Sequence, residues 1–196
     1  MISTLAEKAA VHMLALGEIS YQEKDLYAYG FFMLFSRVFF FLLTLVYGAL
    51  LKNLLESVLF FLLFFVLRAY AGGVHAAKES TCTIYTSLTL LLFSVGMRIC
   101  RELSLVTVPL TLLVLGVILI FLLSPLDTEA KRLTREEKKL YHKKSSVFSV
   151  IILIVALTAL ELGRPRLFYP CAASIALEAV LLVCGKTADA LRVYRS

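Results

Sequence analysis

Six apolar runs, separated by short polar breaks, organise the chain: Phe31 to Leu51, Leu54 to Leu67, Cys82 to Met97, Leu103 to Ser124, Val147 to Leu162 and Leu167 to Cys184. The second, third and fifth fall short of the roughly 20 residues that span a bilayer core upright. Flanking residues or a locally thinned membrane must compensate for them. The two short runs on either side of residues 68–82 suit a re-entrant or cavity-lining piece, since irregular backbone at membrane depth has to be sheltered by protein or water. Ahead of the first run, Ile2, Leu5, Ala9, His12, Met13 and Leu16 recur at helical spacing. That spacing predicts an amphipathic helix within residues 1–29, either lying at the membrane surface or packed on the bundle. The pattern is that of an all-α polytopic membrane protein, one membrane-embedded domain over 1–196 with about six membrane-embedded helices.

Composition agrees. The 196 residues are 60% hydrophobic with no Trp, and the mean hydropathy is +0.88. A soluble domain of this length cannot hide so much apolar surface. Glu7, Glu18, Glu23 and Asp25 interrupt the first 30 residues, and no basic head leads into an apolar run. No cleavable signal peptide is expected on that pattern. The net charge of +6 matters less than its distribution. With the N-terminus cytoplasmic, one face carries fourteen basic residues: Lys8, Lys24, Arg68, Lys78, the seven within 131–144, Lys186, Arg192 and Arg195. The other carries five, Lys52, Arg98, Arg101, Arg164 and Arg166. The excess of Lys and Arg predicts both termini, and the polar stretch at 68–82, on the cytoplasmic side.

That stretch, "RAYAGGVHAAKESTC" from Arg68 to Cys82, concentrates the chemistry. Cys82 opens the third run behind Ser80 and Thr81, both good N-cap residues. His75 precedes it by seven residues. A Cys beside a His is the minimum pair for nucleophilic acyl transfer, because the imidazole takes the thiol proton and returns one to the leaving amine. On a straight helix, seven residues would hold the pair about 10 Å apart, whereas proton transfer needs about 3 Å. Either the chain bends, with freedom supplied by Gly72-Gly73 and a turn at "KES", or His75 of one copy meets Cys82 of another in a homodimer. The bland readings are an interfacial histidine and a small packing cysteine. The other cysteines, 100, 171 and 184, show no paired spacing with each other or with Cys82, and no metal or other cofactor is expected. Cys100 and Cys171 fall near the same end of the bundle, where they read as free packing residues rather than a disulfide.

The stretch closely resembles the signature of the accessory gene regulator B (AgrB) family: an Arg, a Gly-Gly-x-His, and a Cys seven residues after the His. The later "SPLDTEAKRLTREEKKLYHKKS" is similar to that family's Pro-Leu/Val-Asp start to a basic cytoplasmic loop, and the likeness extends over nearly the whole chain. The resemblance implies a multi-pass cysteine endopeptidase of the bacterial cytoplasmic membrane that processes an AgrD-like propeptide in peptide quorum sensing. The family's catalytic Cys falls on Cys82 and its catalytic His on His75, with Arg68 and Gly73 at further positions that matter. By this analogy Cys82 holds the signal segment as a thioester while the acidic C-terminal part leaves. A Cys or Ser of the peptide then closes a thiolactone or lactone ring.

Other residues admit two readings each. Glu79 could orient the imidazole as a third member or sit solvated in a loop. Lys131, Arg132, Arg135, Lys138, Lys139, Lys143 and Lys144, in a basic loop spanning 126–145, are positive-inside charges that attract anionic lipid, or a clamp for an acidic propeptide tail. Arg37 and Glu178 lie inside spans at similar depth, so the sequence predicts that they pair and that the first and last spans are neighbours. A peptide exporter without proteolytic activity is the competing function, and it would tolerate Cys82→Ser; a non-catalytic scaffold would tolerate changes at both Cys82 and His75. Nothing points to nucleic acid.

Overall fold

The computed structural model describes residues 2–72, 79–126 and 133–195, with the side chains of 79–80 and 188–195 outside the description. Among the described residues seven helices follow one another: α1 (Ile2–Ala15), α2 (Lys24–Leu50), α3 (Leu54–Ala71), α4 (Glu79–Glu102), α5 (Thr107–Leu123), α6 (Arg135–Glu161) and α7 (Pro165–Arg195). Five of them, α2, α3, α4, α6 and α7, are long and apolar enough to cross a membrane, and α5 is a shorter apolar helix. The six apolar runs each became one of these six helices. The chain is an all-α polytopic membrane protein.

Helix α7 is the axis of the bundle, packed by α3, α4, α5 and α6. Its small residues Ala172, Ser174, Ala176 and Ala179 are buried beside Phe168, Ile175 and Leu182. Small side chains let helix backbones approach closely where lipid supplies no hydrophobic drive between helices. Gly116 of α5 shows the limit: a Cβ there would stand 2.6 Å from Cγ2 of Ile175. Helix α2 lies on the outside, packing chiefly on α1, α3 and α4, with Val38, Leu42, Val46 and Leu50 exposed. Helix α1 packs on α2 through buried Ala6 and Ala10, while Leu5 and Leu16 of the expected apolar face stay exposed. The buried face is set by the smallest residues, which the hydrophobic pattern did not single out.

Two expectations fail here. Residues 135–144 are helix, not loop. Thr134 caps α6 by accepting from the Glu137 N–H while the Glu137 carboxylate accepts from the Thr134 N–H, a reciprocal arrangement that starts a helix firmly. At 27 residues α6 is about 40 Å long, more than the bilayer core requires, so its basic first turns stand clear of the apolar layer. Arg37 and Glu178 do not pair either. The Arg37 guanidinium sits 4.6 Å over the Phe65 ring, and Glu178 takes Arg68 as its ion partner. Equal depth fixed the height of the two charges but not which way around the bundle each faces.

One end of the bundle is tied by polar contacts. Glu56, 4% exposed, pairs with Arg101 and lies 3.9 Å from Arg166 Nε. Buried Asn53 donates to the Ser94 carbonyl at 2.8 Å, and Arg98 to the Leu51 carbonyl at 3.0 Å. The candidate chemistry lies at the other end.

Candidate functional site at the Gly72–Leu126 junction

Helix α3 stops because Gly72 leaves the helical region, with φ 79° and ψ −154°. This conformation is essentially restricted to glycine. The segment before α6 then docks on it: the Leu126 N–H donates to the Ala71 carbonyl at 2.9 Å, and Gly72 and Leu126 form an isolated parallel bridge. A Cβ on Gly72 would lie 2.4 Å from the Leu126 carbonyl oxygen. The two stretches that carry the sequence signal, around residues 68–82 and from Ser124 onward, therefore meet backbone to backbone.

Arg68, in the last turn of α3, donates from Nη1 to the Gly72 carbonyl at 2.9 Å. The same nitrogen is 3.9 Å from Oε1 of Glu178, whose side chain is fully buried while that of Arg68 is 19% exposed. Among the described residues, neither Glu178 carboxylate oxygen has a hydrogen-bond partner. Cys82, half-buried and free, lies in the first turn of α4, within electrostatic range of the Arg68 guanidinium. Free backbone N–H groups and the helix dipole favour negative charge at that position. Ser80 and Thr81, expected as caps, are inside α4, which starts at Glu79.

The junction is latched from α6. His142 Nδ1 is 2.8 Å from the Ser124 carbonyl oxygen, to which only a protonated nitrogen can donate. The Ser124 and Ser145 hydroxyls are 2.5 Å apart, and Ser145 donates to the His142 carbonyl at 3.0 Å. Tyr70 stacks on Phe148 and carries Lys144 Nζ 5.0 Å above its ring. Sequence reasoning overlooked His142, Ser124 and Ser145. The i, i+3 spacing of His142 and Ser145, on one face of the helix that follows the Ser124-Pro125 step, was the available signal.

Of the expected site residues, Arg68 in the last turn of α3 and Cys82 in the first turn of α4 both lie at this end, and Lys144 lies beside Tyr70. Arg135, Lys138, Lys139 and Lys143 are exposed along the first turns of α6. His75, Gly73, Lys131 and Arg132 lie outside the described residues, as does the Glu79 side chain, so the His75–Cys82 approach lies there too. What the described residues do show is that α3 and α4 are separate helices, parted at Gly72. All four thiols are free, Cys171 buried on α7 and Cys100 half-buried on α4.

Comparison with known proteins gives one consistent family. Two proteins of Clostridium perfringens, each named as AgrB-like, are similar to the chain: one from strain SM101 at 26% identity over 137 residues, another from strain 13 at 27% over 138. Each match covers 66% of this chain and 64% of the relative, so the chain matches a little under two thirds of their length. No solved structure matches. The sequence pattern of the family described as Accessory gene regulator B matches residues 3–183, and the chain belongs to that family.

Proposed function

We propose that the protein is a membrane-embedded cysteine endopeptidase that cleaves an AgrD-like quorum-sensing propeptide and passes the signal segment on to ring closure. The reading is carried by one observation: Arg68, Cys82 and the Gly72–Leu126 junction, drawn from both motif stretches, lie at one end of the bundle. In this reading the Cys82 sulfur attacks the carbonyl carbon after the signal segment while His75 takes the thiol proton. The C–N bond breaks, His75 protonates the departing amine, and the acyl group stays on Cys82 as a thioester. A thiol or hydroxyl of the same peptide then attacks the thioester carbonyl and expels the Cys82 thiolate, which recovers a proton. A thioester keeps the acyl group activated, so exchange to another thiol is nearly isoenergetic. Water must be kept out meanwhile, and a site at the end of an apolar bundle suits that need.

The exposed basic turns of α6 complement an acidic propeptide tail and anionic lipid alike. With the basic face inward, the site opens to the cytoplasm of a bacterial cell.

The test is purified protein in lipid nanodiscs with the propeptide encoded beside it, read by mass spectrometry for cleavage and for a peptide–Cys82 adduct. Cys82→Ala should abolish both, and His75→Ala should slow cleavage by about 10²–10⁴-fold. Replacing Cys100, Cys171 and Cys184 together by Ala should leave cleavage intact. Normal processing by Cys82→Ala would refute the endopeptidase and favour an exporter or scaffold.

A further inference from the structure

Helices α4 and α5 follow one another in the chain, yet each packs on α7 rather than on the other. Between them runs a cavity of about 220 Å³, walled by Leu92 and Gly96 of α4 and by Val108 and Leu112 of α5, and floored by Ala172 and Ala176 of α7. Leu92, Val108 and Leu112 at its lips are exposed, so it opens on the flank of the bundle. Nothing lies within 4 Å of the place a Cβ on Gly96 would take. Tyr169 brings the one side-chain oxygen of the lining, and its hydroxyl donates to the Cys100 carbonyl at 3.0 Å. A cavity with no polar group to spare does not hold water. Left empty, its walls would forfeit their dispersion contacts. Small residues usually admit a second helix, but this space is too narrow for one. The α4 wall from Leu92 to Cys100 is about 12 Å long, most of one leaflet of a core about 30 Å thick. Spread over that length the cavity is about 5 Å wide, room for one hydrocarbon chain with its neighbours about 4 Å away, whereas a helix is about 10 Å across.

Positive charge stands at one end of this groove. Arg101 follows Cys100 in the α4 wall, and Arg166 precedes Tyr169 by one turn of α7. Both converge on the Glu56 carboxylate, Arg166 Nε at 3.9 Å. One carboxylate faces two guanidinium groups, so a unit of positive charge is left uncompensated within the group, and the Arg166 side chain is 71% exposed. We propose that the groove binds one anionic phospholipid of the surrounding membrane. Its acyl chain lies between α4 and α5 on the alanines of α7, and its phosphate is held by Arg166 and Arg101. A guanidinium presents paired donors that match phosphate oxygens. The site lies at the end of the bundle away from Cys82, and the lipid completes the packing that α4 and α5 leave open.

The test places the full chain in nanodiscs of equal parts phosphatidylglycerol and phosphatidylcholine and reads the lipid it retains by native mass spectrometry. One lipid should stay bound, with phosphatidylglycerol favoured about fivefold, the ratio that one basic residue near a membrane surface produces. Gly96→Leu fills the groove from an unoccupied position. It should cut retention by about tenfold or more, which two fewer buried methylenes would already cost. Arg166→Gln should erase the preference between headgroups and leave a chain bound. Equal retention of both lipids by the unaltered protein would overturn the proposal, as would full retention by Gly96→Leu. A phosphatidylglycerol with a diazirine midway along one acyl chain decides the matter without any variant. Its photolabel should concentrate on residues 92–100, 108–112 and 172–176. Labelling no heavier there than on Val38, Leu42 and Val46 of α2 would refute a bound lipid. A dimer that Gly96→Leu splits would assign the groove to a second copy of the chain, and the lipid proposal would fall.

Discussion

Replacing Gly72 by Ala should damage the site more than a methyl group added to any other described turn. Two costs add. Alanine at φ 79°, ψ −154° is strained by about 1–3 kcal/mol. Its Cβ would also stand 2.4 Å from the Leu126 carbonyl oxygen, a backbone atom that cannot swing away as a side-chain tip can. Relief requires the bridge to open, which gives up the bond from the Leu126 N–H to the Ala71 carbonyl, about 0.5–1.5 kcal/mol net. The strain and the clash act on the closed junction, and the strain by itself disfavours it by about 1–3 kcal/mol, or roughly 5- to 150-fold in its equilibrium. Two measurements report it. Amide exchange at Leu126 should quicken by up to that factor, and propeptide cleavage in nanodiscs should fall by at least about tenfold. Gly163→Ala is the control, at the opposite end of the bundle. Gly163 also has a positive φ, 61°, but nothing lies within 4 Å of the place its added methyl group would take. The change should cost about 1–2 kcal/mol of strain and leave cleavage per folded protein unchanged. Unaltered Leu126 exchange in Gly72→Ala would refute the structural reasoning. Faster exchange with undiminished cleavage would show that the junction does not serve the site.

Two further outcomes follow from the two ends of the bundle. Reversing Lys138, Lys139, Lys143 and Lys144 to Glu should weaken propeptide processing, and in the unmodified protein raising salt from about 0.1 to 1 M should do the same, as the screening length falls from about 10 to 3 Å. Correctly inserted variants that process at the normal rate would reduce these charges to topology signals. Glu56→Gln should lower stability by about 1–3 kcal/mol, less than a fully buried pair would lose because Arg101 is 22% exposed. Thermal unfolding reads that loss, and activity per folded protein should not change, because the contact lies at the end away from Cys82.

The class of this protein, its family, and the number and order of its apolar helices were all legible in the sequence. Those are properties of one segment at a time. Run length and composition decide whether a helix crosses a lipid layer, and an Arg, Gly-Gly, His and Cys at close spacing can be recognised without a fold. Which residues meet was settled by packing. Apolar helix faces look alike to lipid and to one another, so the pattern does not say which face turns inward. The small residues of α7 made it the axis, which brought Glu178 to Arg68 and left Arg37 against Phe65. Depth along a helix can be counted from the sequence, but direction around the bundle cannot. The same limit hid Glu56, an apparent boundary charge that packing enclosed, and the docking of Leu126 on Gly72, which depends on a backbone turn placing two distant segments side by side.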